Sequence, residues 1–98
     1  MEKAFHVYIL ASSKNGTLYI GISSALIERV HKHREKIDPS SFTARYDVTR
    51  LVHYERYDDA ENAIRREKRL KKWKREWKIN LIEKTNPGWK DLWDEIVR

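Results

Sequence analysis

Glu67 is a carboxylate set inside a dense basic run. Between Arg65 and Lys78 the sequence places nine Lys or Arg residues: Arg65, Arg66, Lys68, Arg69, Lys71, Lys72, Lys74, Arg75 and Lys78. A solvated basic face needs no acid in its middle. Read as a helix, the non-basic stripe is Ala60, Ala63, Ile64, Glu67, Leu70, Trp73, Trp77 and Leu81. Steps of three and four put Glu67 on the inward seam. A carboxylate there must find a cation, a hydrogen-bond donor or a metal. The phosphate-seeking charge around it makes a metal that meets a phosphodiester attractive. An i,i+4 ion pair with Lys71 is the plainer alternative, and Glu67 taken alone favours it.

Two further groups could join it. Tyr8 and Tyr19 lie on two segments that flank Lys14-Asn15-Gly16-Thr17, and Asn-Gly is a strong hairpin signal. Closing the turn on Ser12 with Thr17, or on Lys14 with Thr17, pairs residues whose numbers sum to an odd value. Either register puts Tyr8, Tyr19 and Gly21 on one sheet face. A glycine inside a strand often marks the close approach of something else. Two phenols beside an arginine-bearing helix could form an anion site; packing with a wet hydroxyl is the ordinary role of such tyrosines. Arg29 and His33, four apart, share a helix face and could hold a phosphate and move a proton. Capping the core is the commoner use of such a pair. His31 and His33, two apart, point in different directions and make a poor metal pair. The sequence has no Gly-rich phosphate loop, nucleophile elbow or zinc signature.

The elements that must position these residues are legible in outline. Phe5 to Ala11 and Thr17 to Ile22 read as paired strands. Ser23 and Ser24 can cap a helix from Ala25 to about Lys36, with Leu26, Arg29 or Val30, His33 and Ile37 inward. Asp38 to Ser41 is a loop, and Leu51 to Tyr57 a third strand. Asp58 or Asp59 caps the basic helix, which either continues through Trp73 to Lys84 or gives way there to a second helix. Asn86-Pro87-Gly88 is a stop. Trp89 to Val97 reads as a terminal helix with Trp89, Leu92, Trp93 and Ile96 on one stripe. The fold class is α+β: one domain over 1–98, with a small three-stranded sheet, hairpin plus one strand, flanked by helices.

The bulk numbers bound the partner. The 98 residues carry a formal charge of +6, and charge of that sign in one segment points to a polyanion. A membrane surface fits poorly, because the apolar stripe of the basic helix carries Glu67 and bulky Trp side chains. No segment approaches a membrane span, and the start lacks a long apolar h-region. The sequence contains no cysteine, so there is no disulfide framework, which fits the cytoplasm. Its 4 Trp, 5 Tyr and 2 Phe argue for a folded core over disorder.

Taken together, these residues resemble the GIY-YIG nuclease family. Its two strand motifs correspond to His6-Val7-Tyr8 and Tyr19-Ile20-Gly21. Its helical Arg and His correspond to Arg29 and His33. Its metal-binding Glu, followed by a Leu and a Lys, corresponds to Glu67, Leu70 and Lys71 or Lys72. The stretches Phe42 to Tyr46, Leu51 to Glu55, Ala63 to Trp77 and Asn86-Pro87-Gly88-Trp89 add to the likeness with small stand-alone predicted endonucleases. The first motif departs from the family with His6 for the usual Gly and Val7 for the usual Ile; neither position is expected to do chemistry. Asn80 is the candidate for the family's Asn after the Glu helix.

The resemblance implies hydrolysis of phosphodiester bonds in DNA, in a setting of repair or recombination. It implies Mg²⁺, or another divalent cation such as Mn²⁺, on Glu67, and no small-molecule cofactor. Arg29 would neutralise phosphate charge, Tyr8 or Tyr19 would help deprotonate water, and His33 would orient or relay the proton. Gly21, Lys68, Lys71, Lys72 and Asn80 would contact the nucleic acid. The alternative is a nucleic-acid-binding module of the same fold without useful activity. A protein-interaction domain built on the Trp-rich C-terminal segment is a weaker third reading, since Trp73, Trp77, Trp89 and Trp93 are expected to build core between the last helices. Oligomeric state, preferred DNA and cleavage pattern are not encoded in any motif.

Overall fold

A computed structural model describes residues 3–98. Strands β1 (Phe5–Ala11) and β2 (Leu18–Ser23) form the expected hairpin, and β3 (Arg50–Tyr57) adds antiparallel on the other side of β1, giving the order β2-β1-β3. β1 is therefore the central strand, covered on both faces. This is why Val7, Tyr8, Ile9, Leu10 and Ala11 form an unbroken buried run instead of an alternating one. The hairpin register has the odd sum: Tyr8 pairs with Gly21 and Leu10 with Tyr19. The loop is longer than a two-residue turn. Ser12 N–H donates to the Thr17 carbonyl and Gly16 N–H to that of Ser13, and Asn15, not Gly16, takes the left-handed conformation at φ 59°.

The two sheet faces carry different helices. Val7, Ile9, Ala11, Ile20 and Val52 pack with Ala63 and Leu70 of α3 (Ala60–Lys72), Ile82 of α4 (Arg75–Thr85), and Trp89. On the other face Tyr8, Leu10 and Leu51 pack with Leu26 and Val30 of α1 (Leu26–Arg34) and with Val48. A bulge shifts the β1–β3 register between Ile9 and Leu10. Val52 is the extra residue, so that it and the adjacent His53 both face α3 while Leu51 faces α1. No helix among the described residues is long and apolar enough to cross a membrane.

Several expectations are corrected. Ser23 and Ser24 do not cap α1: Ala25 holds that position, and the Ser23 hydroxyl accepts from the Ala25 N–H at 2.9 Å. Asp59 is the N-cap residue of α3, but its carboxylate accepts from the Asn62 amide side chain instead of a backbone N–H. A one-turn helix, α2 (Phe42–Arg45), follows the loop, with the Ser41 hydroxyl accepting from the Ala44 N–H. The basic helix breaks at Trp73 and Lys74, both extended at ψ 148° and ψ 150°. The Arg75 guanidinium then anchors α4 to the hairpin loop through the Asn15 and Gly16 carbonyls.

The Trp residues do not share one stripe. Trp89 sits at φ 55° outside any helix and is fully buried with α3 and α4, whereas Trp93, in the short α5 (Trp93–Ile96), packs with Leu92 and Ile96 on the α1 face. The chain turns over at Asn86–Trp89, where Trp89 N–H donates to the Asn86 carbonyl, and this reversal splits the stripe between two cores. Trp77 remains 49% exposed and Ile64 43%, so the inward seam of the basic segment is narrower than its periodicity indicates.

Candidate active site

Tyr8 is the hub. Its ring is fully buried and lies over Gly21, where a Cβ would collide with the ring carbon bearing the hydroxyl. The missing side chain at Gly21 thus admits Tyr8, and the ring fills the space that sequence reasoning reserved for a nucleic-acid contact. Crossing Gly21 carries the hydroxyl toward edge strand β2, where it meets His33 Nε2 at 3.2 Å. His33 Nδ1 lies 2.8 Å from the Thr43 hydroxyl on α2. The Tyr19 ring completes the cluster, with its centroid 6.4 Å from that of Tyr8 and 5.4 Å from that of His33.

The electrostatics follow from this placement. Burial pushes the Tyr8 phenol well above its usual range; Tyr19 and Glu67 push the same way, while Arg29 opposes with its charge and a hydrogen bond. Burial, and then the Arg29 charge, lower the His33 imidazole below its ordinary value, so it is neutral at pH 7. Neutral His33 has one donor and one acceptor ring nitrogen, so it links the Tyr8 hydroxyl at Nε2 to the Thr43 hydroxyl at Nδ1.

Glu67 is carried by a different layer of the fold. Helix α3 packs on the opposite sheet face, yet the Glu67 charge acts on the Tyr8 phenol. Its side chain is 14% exposed and pairs with Lys71 Nζ at 2.9 Å, the i,i+4 ion pair that the spacing allows. An ion pair this exposed on the lysine side is worth about 0.5 kcal/mol. Tyr8, Tyr19 and His33 thus gather from β1, β2 and α1, while the charges of Arg29 on α1 and Glu67 on α3 act on the Tyr8 phenol. Beside them a groove of about 390 Å³ runs between the starts of α1 and α3, lined by Arg29, Lys32, Ser24, Ala60 and Ile64 among others.

Among the described residues no group of three or more His, Cys, Asp or Glu gathers to hold a metal. That donor set does not suit zinc, which needs at least three protein ligands. A lone carboxylate does fit a hard ion that keeps most of its waters and shares a phosphate oxygen. Lys71 leans on Glu67, while Lys68 and Lys72 project to solvent. Asn80 does not join the cluster; it lines a separate groove of about 360 Å³ with Trp73, Trp77, Leu81 and Lys84.

Sequence reasoning missed two supports. Thr43 fixes His33, and its signal was the Ser41 cap of a single helical turn. Glu55 was read only as part of a strand. Alternation and register put His53, Glu55 and Tyr57 on the α3 face, opposite Ile9, Val7 and Phe5. There Glu55 accepts from His53 Nε2 at 2.7 Å, from the Tyr57 hydroxyl at 2.9 Å and from Arg66 at 2.8 and 3.0 Å. The pair Glu55–Arg66 pins α3 to β3, one residue before Glu67.

The family described as the GIY-YIG catalytic domain matches residues 4–80. A UPF0213 protein from Syntrophus aciditrophicus is 34% identical over 82 residues, covering 84% of this chain and 92% of that one. A UPF0213 protein from Staphylococcus saprophyticus is 29% identical over 77 residues, covering 79% and 93%. The solution NMR structure of a UPF0213 protein from Bacillus halodurans superposes with a TM-score of 0.56 at 26% identity, covering 90% of this chain and 92% of that one.

Proposed function

Since the chain belongs to the GIY-YIG family, a family of nucleases, we propose that it is a divalent-metal-dependent DNA endonuclease acting in DNA repair or recombination. The observation that supports this reading is the cluster of Tyr8, Tyr19 and His33, with the charges of Arg29 and Glu67 acting on the Tyr8 phenol. An absence of cysteine supports a cytoplasmic setting.

Glu67 would hold Mg²⁺ or Mn²⁺, with Lys71 displaced at small cost. When bound, the ion would polarise the phosphate and stabilise the leaving oxygen. Arg29, exposed on α1, would neutralise charge growing on the non-bridging oxygens. The two tyrosines divide the work by exposure. Tyr8 is fully buried and its phenol is held neutral, so it would position His33 and Arg29. Tyr19, half-buried at the mouth, would meet and orient the attacking water, whose proton would pass to the neutral His33 imidazole beside it. Lys68, Lys71 and Lys72 would contact flanking phosphates, making affinity strongly salt-dependent.

A second reading, a nucleic-acid-binding module without activity, is favoured by one observation: Lys71 already neutralises Glu67. A cleavage panel separates the two. Single-stranded, duplex, nicked and branched DNA are incubated with the protein in Mg²⁺, with Glu67→Ala as control. Cleavage that needs both Mg²⁺ and Glu67 supports the nuclease. Binding without cleavage by the parent protein establishes the module instead.

A further inference from the structure

Two large aromatic side chains stand exposed at the mouth of the candidate site. Phe42 is 46% exposed and Tyr46 53%. The Phe42 ring stacks on Tyr19, with centroids 6.4 Å apart and planes 30° from parallel. Tyr46 leans on Phe42 at 4.8 Å. Neither ring belongs to either core cluster, so packing of the fold does not account for them. Both are carried on a fixed turn: the Ser41 hydroxyl caps α2, and Val48 N–H donates to the Thr43 carbonyl at 2.8 Å.

Their surroundings select a partner. The Arg45 guanidinium sits 5.9 Å from the Tyr46 ring centre and makes no ion pair among the described residues. Flat exposed rings beside an unpaired cation suit a nucleobase on an anionic strand. They suit an apolar protein surface poorly, because docking one would bury that charge. Bases inside a duplex are already stacked on their neighbours, so the base that reaches these rings is unpaired.

We propose that Phe42 and Tyr46 form a shelf that stacks an unpaired base of a DNA strand, next to the phosphate lying at Tyr19 and Arg29. The identity of the strand rests on the nuclease reading. The consequence is a substrate preference: single-stranded or locally opened DNA over intact duplex.

The test is affinity measured by fluorescence anisotropy, with metal chelated so that nothing is cut. The probes are a short labelled single strand, the same strand with abasic sites, and its duplex. The Phe42→Ala/Tyr46→Ala double variant should bind the single strand roughly tenfold to a hundredfold more weakly, the loss expected for base–aromatic stacking. Duplex affinity should change less than about twofold. Phe42→Tyr, which keeps a stacking ring, should bind like the parent, and the parent should bind the abasic strand as weakly as the double variant binds the normal one. Equal losses on single strand and duplex, no loss at all, or a change of oligomeric state in the double variant would each overturn the shelf. Shelf-dependent binding by a parent that cuts no DNA would leave the shelf standing and remove the nuclease reading.

Discussion

Glu55 on β3 and Glu67 on α3 are both mostly buried acids, 18% and 14% exposed, held in opposite ways. Glu55 accepts hydrogen bonds from His53, Tyr57 and twice from Arg66, all mounted on β3 or α3. Burial alone would raise its carboxyl, but those hydrogen bonds outweigh burial and hold it at about 2. Glu67 has one cation, Lys71, at the end of a side chain 54% exposed. A carboxylate whose lone pairs are all met by rigid donors is a clamp. One with a single loosely held partner is free to take another. Burial does not separate the two acids; the stiffness of their partners does.

The same substitution at both positions should therefore have opposite effects. Glu67→Gln should lower Mg²⁺-dependent cleavage by roughly a hundredfold to a thousandfold, while the melting temperature stays within a few degrees of the parent. Glu55→Gln should leave cleavage per folded molecule largely intact and cost stability instead. The Glu55 carboxyl falls from 4.5 to about 2 on folding, which corresponds to on the order of 3 kcal/mol at neutral pH. Because this pKa is depressed, the contribution is fully present above about 4.5 and fades as pH falls through about 2. Urea unfolding at pH 7 and pH 3 measures it: parent and variant should differ most at pH 7 and converge on acidification. A Glu55→Gln protein as stable as the parent would break the clamp reading.

Gly21 tests the other half of the site. Gly21→Ala places a methyl group where the fully buried Tyr8 ring lies, across the pairing of edge strand β2 with central strand β1. Overpacking of this kind costs about 1–3 kcal/mol. The displaced Tyr8 hydroxyl would also leave His33, so cleavage should fall together with stability, unlike at Glu55 or Glu67. Thermal melting and cleavage on one preparation check the pairing. Unchanged values for both would mean that the ring passes Gly21 more loosely than its close approach indicates.

What the sequence disclosed follows from strict periods. Strand parity put Tyr8, Tyr19 and Gly21 on one face, and the helix period put Arg29 beside His33, because backbone geometry alone decides both. Glu55 obeyed the same parity, but its importance depends on Arg66, which only tertiary packing brings across. Thr43 was hidden because one helical turn is too short to show a period. The break at Trp73–Lys74 carries no Gly or Pro; Arg66 over the Trp73 ring at 5.1 Å and Arg75 on the hairpin carbonyls hold the chain bent there. Trp89 and Trp93 were placed on one stripe because the reversal at Asn86–Trp89 has no helical signature of its own.

The smallest expected effect concerns the lysines that Glu67 does not hold. Lys71 is tied to the carboxylate, whereas Lys68 and Lys72 are exposed and make no ion pair among the described residues. Charges at irregular angles around a helix cannot all enter one groove, so they contact phosphates without reading bases. Neutralising both as Lys68→Gln/Lys72→Gln should weaken binding about equally on unrelated DNA sequences. The salt slope should fall by roughly one unit for each phosphate that is no longer neutralised. Cleavage at saturating DNA should change far less, since neither side chain touches the reacting phosphate in the proposed arrangement. Affinity measured against salt concentration on two unrelated sequences decides it. An unaltered slope would mean that these two charges face only water and that the strand passes on the Arg29 and Lys32 side of the groove.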